Sequence, residues 1–126
     1  MTYYRDQVIH LNNKLYPKDY LVKQVVHAKK FMDIHYAKPL TLDDMAGEAF
    51  FSKFHFIRLF KTIYGQTPYQ YLKSVRIARA KKLLQKGKSV GETSLAVGFD
   101  STTSFTSLFK KITGSTPSAF LKKGSR

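Results

Sequence analysis

Cysteine is absent from the 126 residues. That removes disulfide scaffolds, cysteine-containing zinc fingers and thiol catalysis from consideration. Long apolar runs are missing too: the longest are a few residues, such as Ala49-Phe50-Phe51, whereas a bilayer span takes about 20. The first residues, Met1-Thr2-Tyr3-Tyr4-Arg5-Asp6, lack the charged-then-apolar layout of a secretory signal, so a cytoplasmic location is expected. The four histidines, His10, His27, His35 and His55, have no metal-ligand spacing, and the few carboxylates form no paired pattern. Neither catalysis nor a metal, cofactor or small-molecule site is therefore expected. Acidic groups are scarce overall, with 8 Asp and Glu against 22 Lys and Arg and a formal net charge of +14.

That scarcity is uneven. Residues 1–48 hold seven basic and six acidic side chains, while residues 49–126 hold fifteen basic groups against only Glu92 and Asp100, a net of +13. Self-repulsion on that scale costs stability and points to a polyanionic partner, a nucleic acid or an anionic membrane surface. A hydrophobic content of 43% with 10 Phe and 8 Tyr is enough for a folded core and too much for a disordered basic tail.

Helix punctuation is the clearest local signal. Thr67-Pro68 and Thr116-Pro117 each place a hydroxyl at an N-cap and proline at the first helical position. Thr41 with Asp44 and Ser89 with Glu92 read as capping boxes. Gly65, Gly87 and Gly114 stand where helices should stop. No Asn-Gly or Asp-Gly turn separates alternating runs. An all-α chain of about seven helices follows, over 19–36, 42–49, 53–64, 68–86, 90–97, 101–113 and 117–123. Residues 1–18 read as an N-terminal arm of unknown role.

An internal repeat organises the rest. Shifted by 49 positions, the segment from Ser52 to Lys73 meets the segment from Ser101 to Lys122 with eleven identities in twenty-two positions. Each copy is a short helix, a tight turn and a longer helix, the pattern of a helix-turn-helix whose second member can lie in a DNA major groove. The organisation predicted is a first helix-turn-helix subdomain over 19–66, a linker helix over 67–87 and a second helix-turn-helix subdomain over 88–126.

In the first recognition helix Phe56, Leu59, Phe60 and Ile63 form the core stripe. The opposite face carries Lys53, Phe54, Ile57, Arg58 and Lys61, cations able to neutralise phosphate or bind guanine edges and apolar groups able to meet thymine methyls. Ordinary surface hydrophobes, or cover for a neighbouring helix, are the alternative for Phe54 and Ile57. In the second copy Phe105, Leu108, Phe109 and Ile112 are the equivalent stripe, and Thr102, Thr103, Thr106, Ser107 and Lys110 form the outer face. Small hydroxyls discriminate bases poorly, so this helix is expected to position more than it specifies, and a merely solvated Ser/Thr face is the alternative. Lys53, Lys61, Arg76, Lys110 and Lys111 are the phosphate candidates. The linker is expected to turn Tyr71, Leu72, Val75, Ala78, Leu83 and Leu84 inward and Arg76, Arg79, Lys81 and Lys82 outward. At about 28 Å for its length it matches a DNA turn of about 34 Å, enough for one chain to set two helices into successive major grooves of double-stranded DNA.

These residues resemble the AraC/XylS family of bacterial transcription regulators over about residues 20–123. The matching text is Pro39 to Ala46, Ser52 to Lys61 (SKFHFIRLFK), Gly65 to Leu72, Arg76 with Ala80, Leu83 and Leu84, Val97-Gly98-Phe99, and Ser104 to Lys111 running into Gly114-Ser115-Thr116-Pro117. The resemblance implies a bi-lobed DNA-binding domain with two helix-turn-helix units on a linker helix, activating transcription by recruiting RNA polymerase. It also places the base-reading faces on Phe54, Ile57 and Arg58 and on Thr102, Thr103, Thr106 and Ser107. Three departures stand out. Phe50 occupies a turn position often held by Gly, which predicts a differently shaped turn. Thr93-Ser94 replaces a usual Ile-Ala pair, which predicts poorer packing of that helix. Ser107 stands where many relatives have Arg. About 18 residues precede the first helix, too few for a sensor domain, so the expectation is a stand-alone regulator of the MarA and SoxS type or the excised domain of a longer protein. Some relatives add DNA-alkyl repair chemistry, which needs a cysteine acceptor. Non-specific binding to nucleic acid is the alternative function.

Overall fold

A computed structural model describes residues 18–124. Among these residues the chain forms seven helices and no strand: α1 Lys18–His35, α2 Leu42–Glu48, α3 Lys53–Tyr64, α4 Pro68–Gln85, α5 Val90–Ala96, α6 Thr102–Thr113 and α7 Pro117–Gly124. Every sequence-based bound holds to within one residue. Lys18 already belongs to α1, and the rest of the expected N-terminal arm lies outside the described residues. Among the described residues no helix is long and apolar enough to cross a membrane.

The caps explain the accuracy of those bounds. Thr41 accepts from the Asp44 amide at 3.0 Å while the Asp44 carboxylate takes the Thr41 amide at 2.9 Å, a complete capping box. Hydrogen bonding of the carboxylate to the Thr41 amide, and secondarily to the Thr41 side chain, holds the Asp44 carboxyl below its ordinary range. Thr67 and Gln70 make the same reciprocal pair at the start of α4, at 3.2 and 2.9 Å. Ser89 differs from the expected box. Its hydroxyl accepts from the Glu92 amide at 3.1 Å but donates to the Glu92 carboxylate at 2.9 Å, so the carboxylate meets the cap side chain and not the cap amide.

The chain divides into two compact units. One runs through His35 and resumes at Leu40–Tyr71; the other comprises Tyr36–Pro39 and the residues from Leu72 onward. In the first unit α1 buries Leu21, Val25, Ala28 and Met32, four residues on one helical stripe, with Met45 and Ala46 of α2 and Phe56 and Phe60 of α3 also buried. Lys29 reaches Asp33 at 3.1 Å and lies 5.2 Å from the centre of the Tyr71 ring, and the Tyr71 hydroxyl donates to the Asp33 carboxylate. Hydrogen bonding to Tyr71, then to Asp33, raises the Lys29 ammonium above its ordinary range.

The core of the second unit is Ile77, Ala80 and Leu84 of α4, Val97, and Phe105 and Phe109 of α6, with Phe99, Phe120 and Leu121 packed around them. Two sequence expectations are corrected here. The inward stripe of α4 in this unit is Ile77, Ala80 and Leu84, spaced at i, i+3 and i+7; Ala78 lies about 100° round the helix from Ile77 and is exposed. Ile112, expected in the core, is 46% exposed, because it sits on the last turn of α6, where the helix ends at Gly114 and the stripe has run past the core.

Candidate nucleic-acid interface

Each recognition helix is delivered by a turn held in place by backbone hydrogen bonds. In the first unit Phe50 takes a left-handed conformation at φ 61°, its amide donates to Gly47 O at 3.0 Å, and the Phe51 amide reaches back to Ala46 O at 3.1 Å. In the second, Gly98 is left-handed at φ 99°, with Gly98 to Leu95 O at 3.1 Å and Phe99 to Ser94 O at 2.9 Å. The two turns share one hydrogen-bonding pattern, so Phe50 does not produce the different shape expected of it. It adopts the glycine conformation at a cost of about 1 to 2 kcal/mol.

The repeat changes register just after this point. Leu42 and Val90 open the supporting helices 48 positions apart, whereas Lys53 and Thr102 open the recognition helices 49 apart. Asp100 is the additional residue before the second N-cap. Ser52 and Ser101 then cap α3 and α6 from equivalent places, accepting from the amides of His55 and Ser104.

On α3 the residues Lys53, Phe54, Arg58 and Lys61 are exposed and Ile57 is half-buried, while Phe56 and Phe60 are fully buried. Phe54, Ile57, Arg58, Lys61 and Thr62 line one open depression along the helix. The Lys53 ammonium lies 5.6 Å from the centre of the Phe54 ring, so the 50% exposed Phe54 stands beside a cation.

His55, given no role in the sequence reading, is buried on the inner side of this helix with its ring 4.7 Å from that of Phe51. Burial, and secondarily the charge of Arg58, pushes its imidazole below the ordinary histidine range. No local pattern in the sequence marks it as buried.

On α6 Thr102, Thr103, Ser107, Lys110 and Lys111 are exposed and Thr106 is half-buried. The face has hydroxyls where α3 has aromatic, branched and guanidinium groups. Behind it, Thr93 and Ser94 of α5 are fully buried. Ser94 donates to Gly91 O at 3.0 Å, but the Thr93 hydroxyl has no hydrogen-bond partner among the described residues, a cost of about 1 to 3 kcal/mol.

Arg76, a phosphate candidate in the sequence, has two donors engaged within the second unit. Its Nε donates to Tyr36 O at 2.7 Å and its Nη2 to Lys38 O at 2.9 Å. Two of its donors therefore serve the second unit's own backbone.

The model of a helix-turn-helix domain matches residues 45–123. The chain belongs to the AraC-type helix-turn-helix family of DNA-binding transcriptional regulators. An AraC-type regulator from Chromobacterium violaceum is 31% identical, with a TM-score of 0.74 over 80% of this chain and 91% of that one. The DNA-binding domain of AdpA, a global transcriptional factor solved with a target DNA, superimposes with a TM-score of 0.75 at 26% identity, covering 79% and 90% of the two chains. The bifunctional transcriptional activator and DNA repair enzyme AdaA of Bacillus subtilis is 38% identical over 77 residues, 60% of this chain and 36% of its own length. The chain spans only about a quarter to a third of the length of two further Bacillus subtilis regulators that it matches, 26% and 30%.

Proposed function

We propose that the chain is a sequence-specific reader of double-stranded DNA that places α3 and α6 in successive major grooves and activates transcription through contact with RNA polymerase. The observation that carries this reading is the α3 face, where exposed Phe54 and Arg58 share one depression with Ile57 and Lys61. Arginine binds guanine bidentately in the major groove, and an apolar side chain beside it selects the thymine methyl. Neither contact is of use to a protein that binds every duplex alike. The α6 face of Thr102, Thr103, Thr106 and Ser107 supplies hydroxyls to phosphates and base edges, and Lys53, Lys61, Lys110 and Lys111 neutralise the backbone. At 18 residues, α4 is about 27 Å long, against a groove repeat of about 34 Å. The activating sign is taken from the description of AdaA as an activator.

Competition binding tests this function. At physiological salt one selected duplex should be preferred over bulk DNA by about 10³ or more. Equal competition by every duplex would reduce the protein to a non-specific binder of nucleic acid.

A further inference from the structure

We propose that Arg76 is a positioning residue for the second recognition helix: together with Gly98 it clasps residues 36–39 to the turn that leads into α6, and it acts without touching DNA. The inference rests on the DNA reading proposed above. Arg76 donates from Nε to Tyr36 O at 2.7 Å and from Nη2 to Lys38 O at 2.9 Å, so its fork spans two carbonyls of one short segment. On the other side the guanidinium carbon lies 5.9 Å from the centre of the Phe99 ring, and that ring packs 5.4 Å from Phe105 of α6.

Gly98 closes the arrangement. A Cβ there would lie 3.0 Å from Ala37 O and 3.1 Å from Arg76 Nε, on a backbone at φ +99°. At Gly47, Gly65, Gly87, Gly91 and Gly114 no atom beyond the local backbone lies within 4 Å of the equivalent position, so the close approach sets this turn apart from those five. Segment 36–39, Arg76 and the Gly98-Phe99 turn thus form one packed unit directly ahead of the N-cap of α6. The first unit's turn carries Phe50 at the corresponding place, fully outside such a clasp at 76% exposure.

A lysine would keep the charge but give up the rigid fork, since one ammonium cannot reproduce two in-plane donors. A phosphate contact, by contrast, needs only the charge. The two roles therefore separate under conservative substitution.

The experiment uses a duplex selected by the wild-type chain from a random pool, with each specified block scrambled in turn; the block that keeps its preference in Arg58→Ala is assigned to α6. Arg76→Lys should lose about tenfold of discrimination at that block, the size of one charge-assisted hydrogen bond, and stay within about twofold at the other. Gly98→Ala, which keeps the arginine but sets a Cβ against its Nε and Ala37 O, should give the same one-sided loss. Arg76→Gln should leave the slope of log K against log salt unchanged. Wild-type behaviour of Arg76→Lys at both blocks, equal losses at both blocks in Arg76→Lys and Gly98→Ala, or a slope lower by about one unit in Arg76→Gln would overturn the proposal. A wild-type chain that enriches no sequence would fail the DNA reading itself, before any variant is compared.

Discussion

In the first helix-turn-helix unit the exposed face of the recognition helix holds Lys53, Phe54, Arg58 and Lys61; in the second it holds Thr102, Thr103, Ser107 and Lys110. Behind both faces the scaffold is the same. Phe56 and Phe60 correspond to the buried pair Phe105 and Phe109, with ring separations of 5.6 Å in each unit. Ser52 and Ser101 cap the helices, and Gly65 and Gly114 end them. The repeat keeps the residues that fold each unit and differs in those that are exposed. On the reading proposed above, sequence choice falls mainly to α3 and attachment mainly to α6.

The sharpest way to break that division is Arg58→Ala. If Arg58 reads a base, the substitution costs about 1 to 3 kcal/mol of binding and relaxes preference at one base pair, whereas Thr103→Ala should cost less than about 1 kcal/mol. Equilibrium binding to single-base variants of a selected duplex measures both, and a larger loss from Thr103 would reverse the roles of the two units. Next in size is Thr93→Val. Removing a buried hydroxyl without a partner should raise stability by about 1 to 2 kcal/mol in thermal or urea unfolding, and lowered stability would show that the hydroxyl is satisfied.

The two turns make a smaller pair of tests. Phe50→Gly relieves a strain of about 1 to 2 kcal/mol but adds unfolded-state freedom of about 0.5 to 1 kcal/mol, so a net effect between about 0 and 1.5 kcal/mol in favour of the glycine is expected. Destabilisation would show that the Phe50 ring makes a contact worth more than the strain.

Acidification separates the units again, because His55, the buried histidine among the described residues, lies in the first. Its imidazole is held below the ordinary range, so below about pH 6.5 the unfolded chain binds a proton that the folded chain refuses. Stability falls as pH drops through that window and is fully present above it. A His55→Phe variant should lose this part of the pH dependence, and an unchanged profile would assign it to other groups. Smallest is Lys61→Ala or Lys110→Ala, each expected to lower the salt slope by about one unit.

Most of this organisation was legible in the sequence because helix ends are written in short local signals. Thr41, Thr67, Ser89 and Thr116 mark the starts of α2, α4, α5 and α7, and the glycines that follow mark where α3, α4 and α6 stop. The exposed faces were legible for a related reason, since residues three and four apart share a side of a helix. Three features were not legible. The inward direction of α4 depends on tertiary packing, which selected Ile77 and Ala80 over the equally apolar Ala78. The burial of His55 depends on Phe51 lying beside it. The role of Arg76 depends on carbonyls about 40 positions away in the chain, at Tyr36 and Lys38, a contact that no local pattern contains.

Selection of bound duplexes from a random pool tests the division between the units most directly. Two specified blocks should emerge about one helical turn apart, or about 10 base pairs, the sharper of them losing one base preference in Arg58→Ala. A single block, or none, would contradict the assignment of two reading helices to one chain.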